Sequence, residues 1–389
     1  MTFDSAGRLV AVCVGAHNPN LVMLDPDTLD LLATYPLPPR QVGPDNPFTE
    51  FSGGGYFYLD HRDRAVIPTA DRHVYVVRQT NGPLGFERVR DYDLNPVLDD
   101  GDAIVSTLPD FSGRLWFVSR KGVAGYFDPA SGSTHVRRLA GERITDSFSV
   151  DESGGVYVVS NRALYRFGTG PAGAVQTDWR REYANSGSQK PGQVSDGSGT
   201  TPSLMGNGYV AIADNADPMN VTVYRRGKAV EGGGVVCREP VFARGRGATD
   251  NSLVVTGRSI VVENNYGYTG PASTLRGSVT GPGLARIDLD DDGTGCHTVW
   301  TSDVISPTVV PKLSLANGLV YAYTKTRDED DPWYLTAIDF RTGQTTCKRL
   351  TGFGPGYNNN YAPITLGPDG TAYAGVLGGL VAVRDSAHR

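Results

Sequence analysis

Four short polar runs in this 389-residue chain hold residue types that do chemistry together: Ala213-Asp-Asn215, Ala248-Thr-Asp-Asn251, Val262-Glu-Asn-Asn-Tyr-Gly267 and Tyr357-Asn-Asn-Asn-Tyr361. Carboxylate and amide oxygens are the hard ligands that calcium prefers, and a bound calcium ion polarises a carbonyl and lowers the pKa of water. The chemistry expected of such a set is metal-assisted hydrolysis of an ester or lactone. Glu263, Asn251, Asn359 and Asp214 would hold the ion, and Asp250, Lys312 or Glu263 would serve the reaction itself. Asn and Asp also fill loops simply because their side chains make local turns, and that plain reading stands beside the metal one.

Lys312, in Val309-Val-Pro-Lys-Leu-Ser314, puts a charge at the head of an otherwise apolar run. If that run is an inner strand, the ammonium faces a channel. There it would bind a substrate carboxylate, act as a base once desolvated, or pair with Asp250 or Glu263. Further ligand-binding candidates are Glu50, Asp146, Thr201, Asn265, Tyr266, Asn360 and Tyr361, all in loop-like segments.

Other runs carry weaker signals. Gln193-Val-Ser-Asp-Gly-Ser-Gly-Thr-Thr-Pro202 lacks the lysine and following helix of a phosphate-binding loop, and is expected to be a flexible rim loop placed to cover a ligand. Asp288-Leu-Asp-Asp-Asp-Gly293 matches the first half of a calcium loop, but position twelve is Val299 and not the bidentate glutamate, so a solvated acidic turn is expected. No Gly-x-Ser-x-Gly elbow offers a serine nucleophile. The four cysteines show no CxxC spacing and the six histidines are scattered, which leaves no zinc signature.

The elements that must position these residues are short strands. Glycine (49) and proline (25) are frequent, with Val, Tyr and Thr between them, as tight turns between strands require. One unit recurs along the chain. Its first hairpin reads Phe3-Asp-Ser-Ala-Gly-Arg-Leu-Val-Ala-Val-Cys13, Val150-Asp-Glu-Ser-Gly-Gly-Val-Tyr-Val-Val-Ser160, Leu315-Ala-Asn-Gly-Leu-Val-Tyr-Ala-Tyr323 and Leu366-Gly-Pro-Asp-Gly-Thr-Ala-Tyr-Ala-Gly375. Its second turn reads Met23-Leu-Asp-Pro-Asp-Thr28, Tyr126-Phe-Asp-Pro-Ala-Ser-Gly132, Arg286-Ile-Asp-Leu-Asp-Asp-Asp-Gly293 and Ala337-Ile-Asp-Phe-Arg-Thr-Gly343. The turns mark units near Asp25, Arg78, Asp128, Gly168, Arg226, Asp288, Asp339 and Asp385, roughly 40 to 60 residues apart, the period of a four-stranded propeller blade. The expected fold is therefore all-β, one eight-bladed β-propeller domain with blades near 1–40, 41–95, 96–141, 142–184, 185–243, 244–304, 305–352 and 353–389. A seven-bladed ring is the alternative.

The last unit supplies only three strands, which points either to an upstream segment that completes it or to a three-stranded closing blade. Cys296 and Cys347 share an offset after their turn aspartates, so both belong to outer strands, as does Cys237. A Cys237–Cys296 staple is the pairing expected if the cysteines are oxidised, in a secreted or periplasmic protein; four cysteines also suit a reduced cytoplasmic one.

The turns Ile338-Asp-Phe-Arg-Thr-Gly343 and Phe127-Asp-Pro-Ala-Ser-Gly132 resemble the repeat of quinoprotein-type propellers, the pyrroloquinoline-quinone-repeat superfamily. That resemblance spans nearly the whole chain and implies the fold; its members include dehydrogenases, assembly scaffolds and proteins without a cofactor. A quinone site needs a tryptophan stacked on the cofactor, and Trp116, Trp179, Trp300 and Trp333 mostly sit in strand contexts, so pyrroloquinoline quinone itself is not expected. The Glu/Asn/Asn/Asp set resembles the calcium site of gluconolactonase-like and paraoxonase-like propellers. Alternative functions are a non-catalytic extracytoplasmic binding or scaffolding propeller and a quinoprotein oxidoreductase.

The net charge of −6 is interspersed, with no basic stripe to neutralise phosphates, which argues against nucleic acid. No apolar run approaches the roughly 20 residues that cross a bilayer. The expected partner is a small molecule in a central channel, bound by a monomer.

Overall fold

In the second turn of blades 1, 3 and 7, aspartate works as its chemistry dictates. The Asp25 carboxylate accepts from the amides of Asp27 (2.8 Å) and Thr28 (3.0 Å), and Asp339 does the same for Arg341 and Thr342. A second aspartate series opens the first hairpins: Asp4, Asp60 and Asp110 each cap the amides two and four residues on, and an arginine at i+4 pairs with the same carboxylate. Tight turns fixed in this way leave short strands to pair antiparallel between them.

The structure, a computed structural model, describes residues 1–40, 48, 52–230 and 234–385. It is an eight-bladed β-propeller. The sheets cover residues 2–36, 58–93, 104–138, 149–182, 203–241, 254–302, 312–353 and 364–383, and strands follow one another in simple first-to-fourth order. Seven sheets have four strands; among the described residues the last has three. No described helix is long and apolar enough to cross a membrane.

Middle strands are largely apolar and buried on both faces, as in Leu115–Ser119 and Ser259–Glu263, because within each unit neighbouring blades pack face to face. Fourth strands alternate exposed and half-buried residues, as in Leu31–Pro36. The core lies between blades: one cluster joins Val221, Val223 and Met219 of blade 5 to Ile260, Val262 and Ile287 of blade 6. Burying one such side chain contributes roughly 1.5–3 kcal/mol.

By contact the chain forms two compact units. One comprises Met1–Ser160 with Tyr165–Trp179, and the other Asn161–Leu164 with Arg180–Arg389. The second holds blades 5 to 8 and most of the polar runs described above.

Cys237 and Cys296 are disulfide-bonded, with Cα atoms 5.9 Å apart, joining the fourth strands of blades 5 and 6. Glu239 adds to this staple by accepting from the Thr298 amide and hydroxyl at 2.9 and 2.8 Å. Cys13 and Cys347 are free thiols.

Candidate functional site

Each blade from 3 to 8 ties the loop that enters it to its own second strand through one buried polar clasp. In blade 3 the Ser119 hydroxyl donates to Asp102 at 2.7 Å, and in blade 4 Ser160 and Tyr165 donate to Glu142. In blade 5 Ser198 donates to the Ala213 carbonyl at 2.5 Å, and Thr200 accepts from the Ala213 amide. Asn251 bonds Glu263 in blade 6, Ser306 the Tyr323 carbonyl in blade 7, and Asn359 the Gly375 carbonyl in blade 8. Such a clasp satisfies polar backbone where strands stop pairing.

The blade 6 clasp is chemically distinct, because its carboxyl group, on Glu263, sits at the strand end and is 2 % exposed. One oxygen accepts from the Asn251 and Asn265 amides, the other meets the Ser306 hydroxyl. All three partners are neutral, so nothing offsets the loss of water, and burial raises the Glu263 pKa to about 8. A protonated Glu263 suits the network. Its proton goes to Ser306 Oγ, and the Ser306 hydroxyl then donates to the Tyr323 carbonyl at 3.1 Å.

Asn264 and Asn265 stitch the loop after that strand to the loop entering blade 6. Asn264 accepts from the Ala248 amide and donates to the Arg246 and Pro282 carbonyls. Asn265 accepts from the Asp250 amide at 2.8 Å and donates to the Pro307 carbonyl at 3.0 Å. Tyr266, half-buried, follows them. Asp250 is half-buried too, and accepts from the Val194 amide.

In blade 8 the Asn358–Tyr361 run is packed against blade 6. The Tyr268 hydroxyl lies 3.1 Å from Asn358 Oδ1 and 2.8 Å from Asn360 Oδ1, and its ring meets Tyr361 edge-on at 5.4 Å. Asn360 and Tyr361 both have positive φ, 42° and 67°, a conformation that non-glycine residues hold only where surroundings enforce it. Burial pushes the Tyr361 hydroxyl pKa well up, helped by the charges of Asp250 and Glu263.

The sequence-predicted residues therefore divide. Glu263, Asn251 and Asn265 form one network, with Asp250, Asn360 and Tyr361 beside it. Asp214 is committed to its own hairpin, accepting from Ala216, Asn220 and the Asn220 side chain; burial raises its pKa despite those bonds. Asn359 serves its own blade. Thr201 lies in the loop entering blade 5 and Asp146 in the one entering blade 4, where burial raises the Asp146 pKa to about 6. Glu50 lies outside the described residues.

Lys312 stands at the start of the first strand of blade 7. Its side chain is exposed, yet surrounding protein removes enough water to lower its pKa, and no charged group counters that. Among the described residues it pairs with neither Asp250 nor Glu263.

The expectation of a flexible loop at 193–202 is corrected. The segment 183–202 is a pinned strap: Ser198 donates to the Tyr183 hydroxyl, Gln193 to the Gly197 carbonyl, Val194 to Asp250, and Gly267 to the Pro191 carbonyl. Lys190, within it, donates to the Ala216 and Gly247 carbonyls. Its glycines allow close approach. A Cβ on Gly192 would fall 2.2 Å from the Asn265 carbonyl oxygen, and one on Gly199 2.3 Å from that of Thr249. Composition marked the segment as a loop; nothing in it announced the partners, which lie on other blades.

The fold defines an eight-bladed β-propeller protein. No protein-family model matches the chain. An uncharacterized protein of Archaeoglobus fulgidus is 28% identical over 317 residues, 73% of this chain and 61% of that protein, so the chain spans about three-fifths of that relative's length. Among solved structures, the dihydro-heme d1 dehydrogenase NirN is similar with a TM-score of 0.60 at 15% identity, over 97% of this chain and 70% of that one. Virginiamycin B lyase from Staphylococcus aureus is similar with a TM-score of 0.50 at 10% identity, over 86% and 94%. At these identities the likeness is one of fold.

Proposed function

We propose that the protein is a binding propeller for a small organic anion, held by the Lys312 ammonium at the first strand of blade 7. The supporting observation is the state of Lys312, which is accessible, dehydrated by the surrounding protein and without an acid of its own. Such an ammonium gains from a carboxylate brought by a ligand, because water there competes poorly. The polar groups of the blade 6 network argue for binding over catalysis. Glu263, Asn264 and Asn265 all direct their polar atoms to neighbouring segments, and a general base needs a lone pair within reach of the substrate.

Calcium-assisted hydrolysis of an ester or lactone, with Asp250 or Lys312 moving protons, is the second reading. It is favoured by the buried side-chain oxygens of Asn251 and Asn359, which lack any partner. The Cys237–Cys296 bond supports a secreted or periplasmic location, where such bonds persist.

Thermal-shift and equilibrium-dialysis measurements against mono- and dicarboxylates, sugar acids and their neutral analogues test the proposal. Selective binding of one acid class is expected, weakened about tenfold or more in Lys312→Gln and partly kept in Lys312→Arg. Unchanged binding in Lys312→Gln overturns it. Turnover of an ester or lactone that is lost in Asp250→Asn puts the hydrolase reading in its place.

A further inference from the structure

The third strand of blade 8, Gly379–Val383, pairs with Ala372–Val376 on one side and, among the described residues, with no strand on the other. A two-residue turn at 377–378 joins the two strands, so Val376 and Gly379 close it as a bonded pair and the ladder alternates from there. Val381 and Val383 bond inward. Leu380 and Ala382 turn their amides and carbonyls outward, and no turn or loop takes them up. Folded proteins guard such an edge with a charge, a proline or a bulge, because it recruits other strands. Gly-Leu-Val-Ala-Val, in unbroken register with its neighbour, has none of these.

The exposure of both neighbouring strands marks the same place. Third strands of blades 5, 6 and 7 are mostly buried, whereas no residue of Gly379–Val383 is. The fourth strand of blade 7, Thr345–Phe353, is exposed from Thr345 through Leu350, while those of blades 5 and 6 mix exposed with half-buried residues. Within it Cys347 and Arg349 lie opposite Ala337 and Leu335, on the face shared by Trp333 and Gly352. That face is turned to blade 8: a Cβ on Gly352 would fall 2.2 Å from the ring of Tyr357, in the segment that leads into blade 8. Fourth strands of adjacent blades lie side by side where the Cys237–Cys296 bond joins them. Cys347 and Arg349 therefore flank the position of a fourth strand for blade 8. Arg349 makes no ion pair or hydrogen bond among the described residues. Lys348 is turned the other way, 4.0 Å from the centre of the Tyr334 ring.

We propose that the edge Gly379–Val383 is a docking site for an extended segment of a partner protein, which completes blade 8 as its fourth strand and brings an acidic side chain to Arg349. Strand addition of this kind draws affinity from the main chain and specificity from alternate side chains. On the blade 7 side the guest continues the apolar row of Val381 and Val383, which stand opposite Ala374 and Ala372. A second copy of this strand fits worse, because Gly379–Val383 has no acid to offer Arg349. The site does not depend on the Lys312 anion site.

Fluorescein-labelled peptides of alternating valine and threonine, with a single Glu, Gln or Lys at the centre, test the proposal by fluorescence polarisation against the full chain. The Glu peptide should bind about fivefold more tightly than the Gln peptide, and the Lys peptide more weakly still. Arg349→Glu, a change at an exposed side chain, should reverse that order. Ala382→Pro removes an outward amide that bonds nothing in the fold, so it should keep the melting temperature and lose all three peptides. Bound Glu peptide should slow alkylation of Cys347 and leave that of Cys13, also exposed, unchanged. The proposal is overturned if the full chain binds none of the peptides, as it would with the edge already covered by its own polypeptide, or if the Glu and Lys peptides bind alike. Binding that survives Ala382→Pro overturns it too, and so does self-association that Ala382→Pro abolishes, which would make a second copy the occupant. Lys312→Gln should leave peptide binding as it is.

Discussion

Glu263 is a carboxyl group that folding keeps protonated. Its unfolded pKa is near the ordinary 4.5 and its folded value about 8, so between those values the folded state holds a proton that the unfolded chain has released. Stability linked to this group is greatest below the unfolded value and falls by about 1.4 kcal/mol per pH unit as pH rises toward the folded one. Glu263→Gln keeps one accepting oxygen for Asn251 and Asn265 and offers Ser306 an amide donor in place of the acid proton. Melting curves of the two proteins from pH 5 to 9 should therefore diverge, with the variant increasingly the more stable up to about pH 8. Parallel curves would mean that Glu263 is ionised in the fold. Asp146, with a pKa raised to about 6 by burial, adds a smaller effect of the same sign between its ordinary value and pH 6.

Among the elements, the strap at 183–202 depends on glycine at two places. Gly199 combines a φ of +70° with a backbone oxygen 2.3 Å from any Cβ. Gly199→Ala should lift the strap from Thr249 and Asp250, with a loss of roughly 1–3 kcal/mol and a new protease-sensitive stretch in 184–202. Limited proteolysis with mass-spectrometric mapping reads this directly, and cleavage no faster than in the wild type would show that the strap tolerates the added carbon. The strap also shows what sequence pattern leaves hidden. Hairpin turns announce themselves because aspartate and glycine act on backbone two to four residues away, and Asp25, Asp128 and Asp339 recur for that reason. Strap contacts join residues 56 positions apart, as Val194 to Asp250, and no local rule marks such pairs. The Glu263 network is hidden for the same cause. Asn251 and Asn265 are visible as amide-bearing loop residues, but the carbonyls of Pro307, Thr308 and Val309 that hold their nitrogens lie more than 40 positions away.

On the scale of the whole molecule, repetition makes the architecture legible: eight blades follow from turn chemistry repeated at a steady period. The one long-range covalent tie, Cys237 to Cys296, closes a span of 59 residues. In the chain-entropy account a tie of that length restricts the unfolded chain by about 4 kcal/mol. Replacing both cysteines by serine should lower the denaturant midpoint by an amount in the range of 2–4 kcal/mol, and a reductant should do the same to the wild type. A midpoint indifferent to both would mean that the bond constrains nothing the fold does not already hold.

The strap has a further consequence, in time rather than in space. It is synthesised before its own seat: Asp250, Thr249 and Asn265 leave the ribosome dozens of residues after Val194 and Gly199, 56 in the case of Asp250 and Val194. Until blade 6 exists, the strap must wait in water. Gln193-Val-Ser-Asp-Gly-Ser-Gly199 is a segment that waits without harm, since it has one branched apolar residue and nothing that would recruit a stray strand edge. Its seating then reports that two neighbouring blades are both complete. Pulse-labelled hydrogen exchange during refolding should find the Val194 and Ser198 amides protected only after those of the blade 6 hairpins; earlier protection would show that the strap finds another partner first.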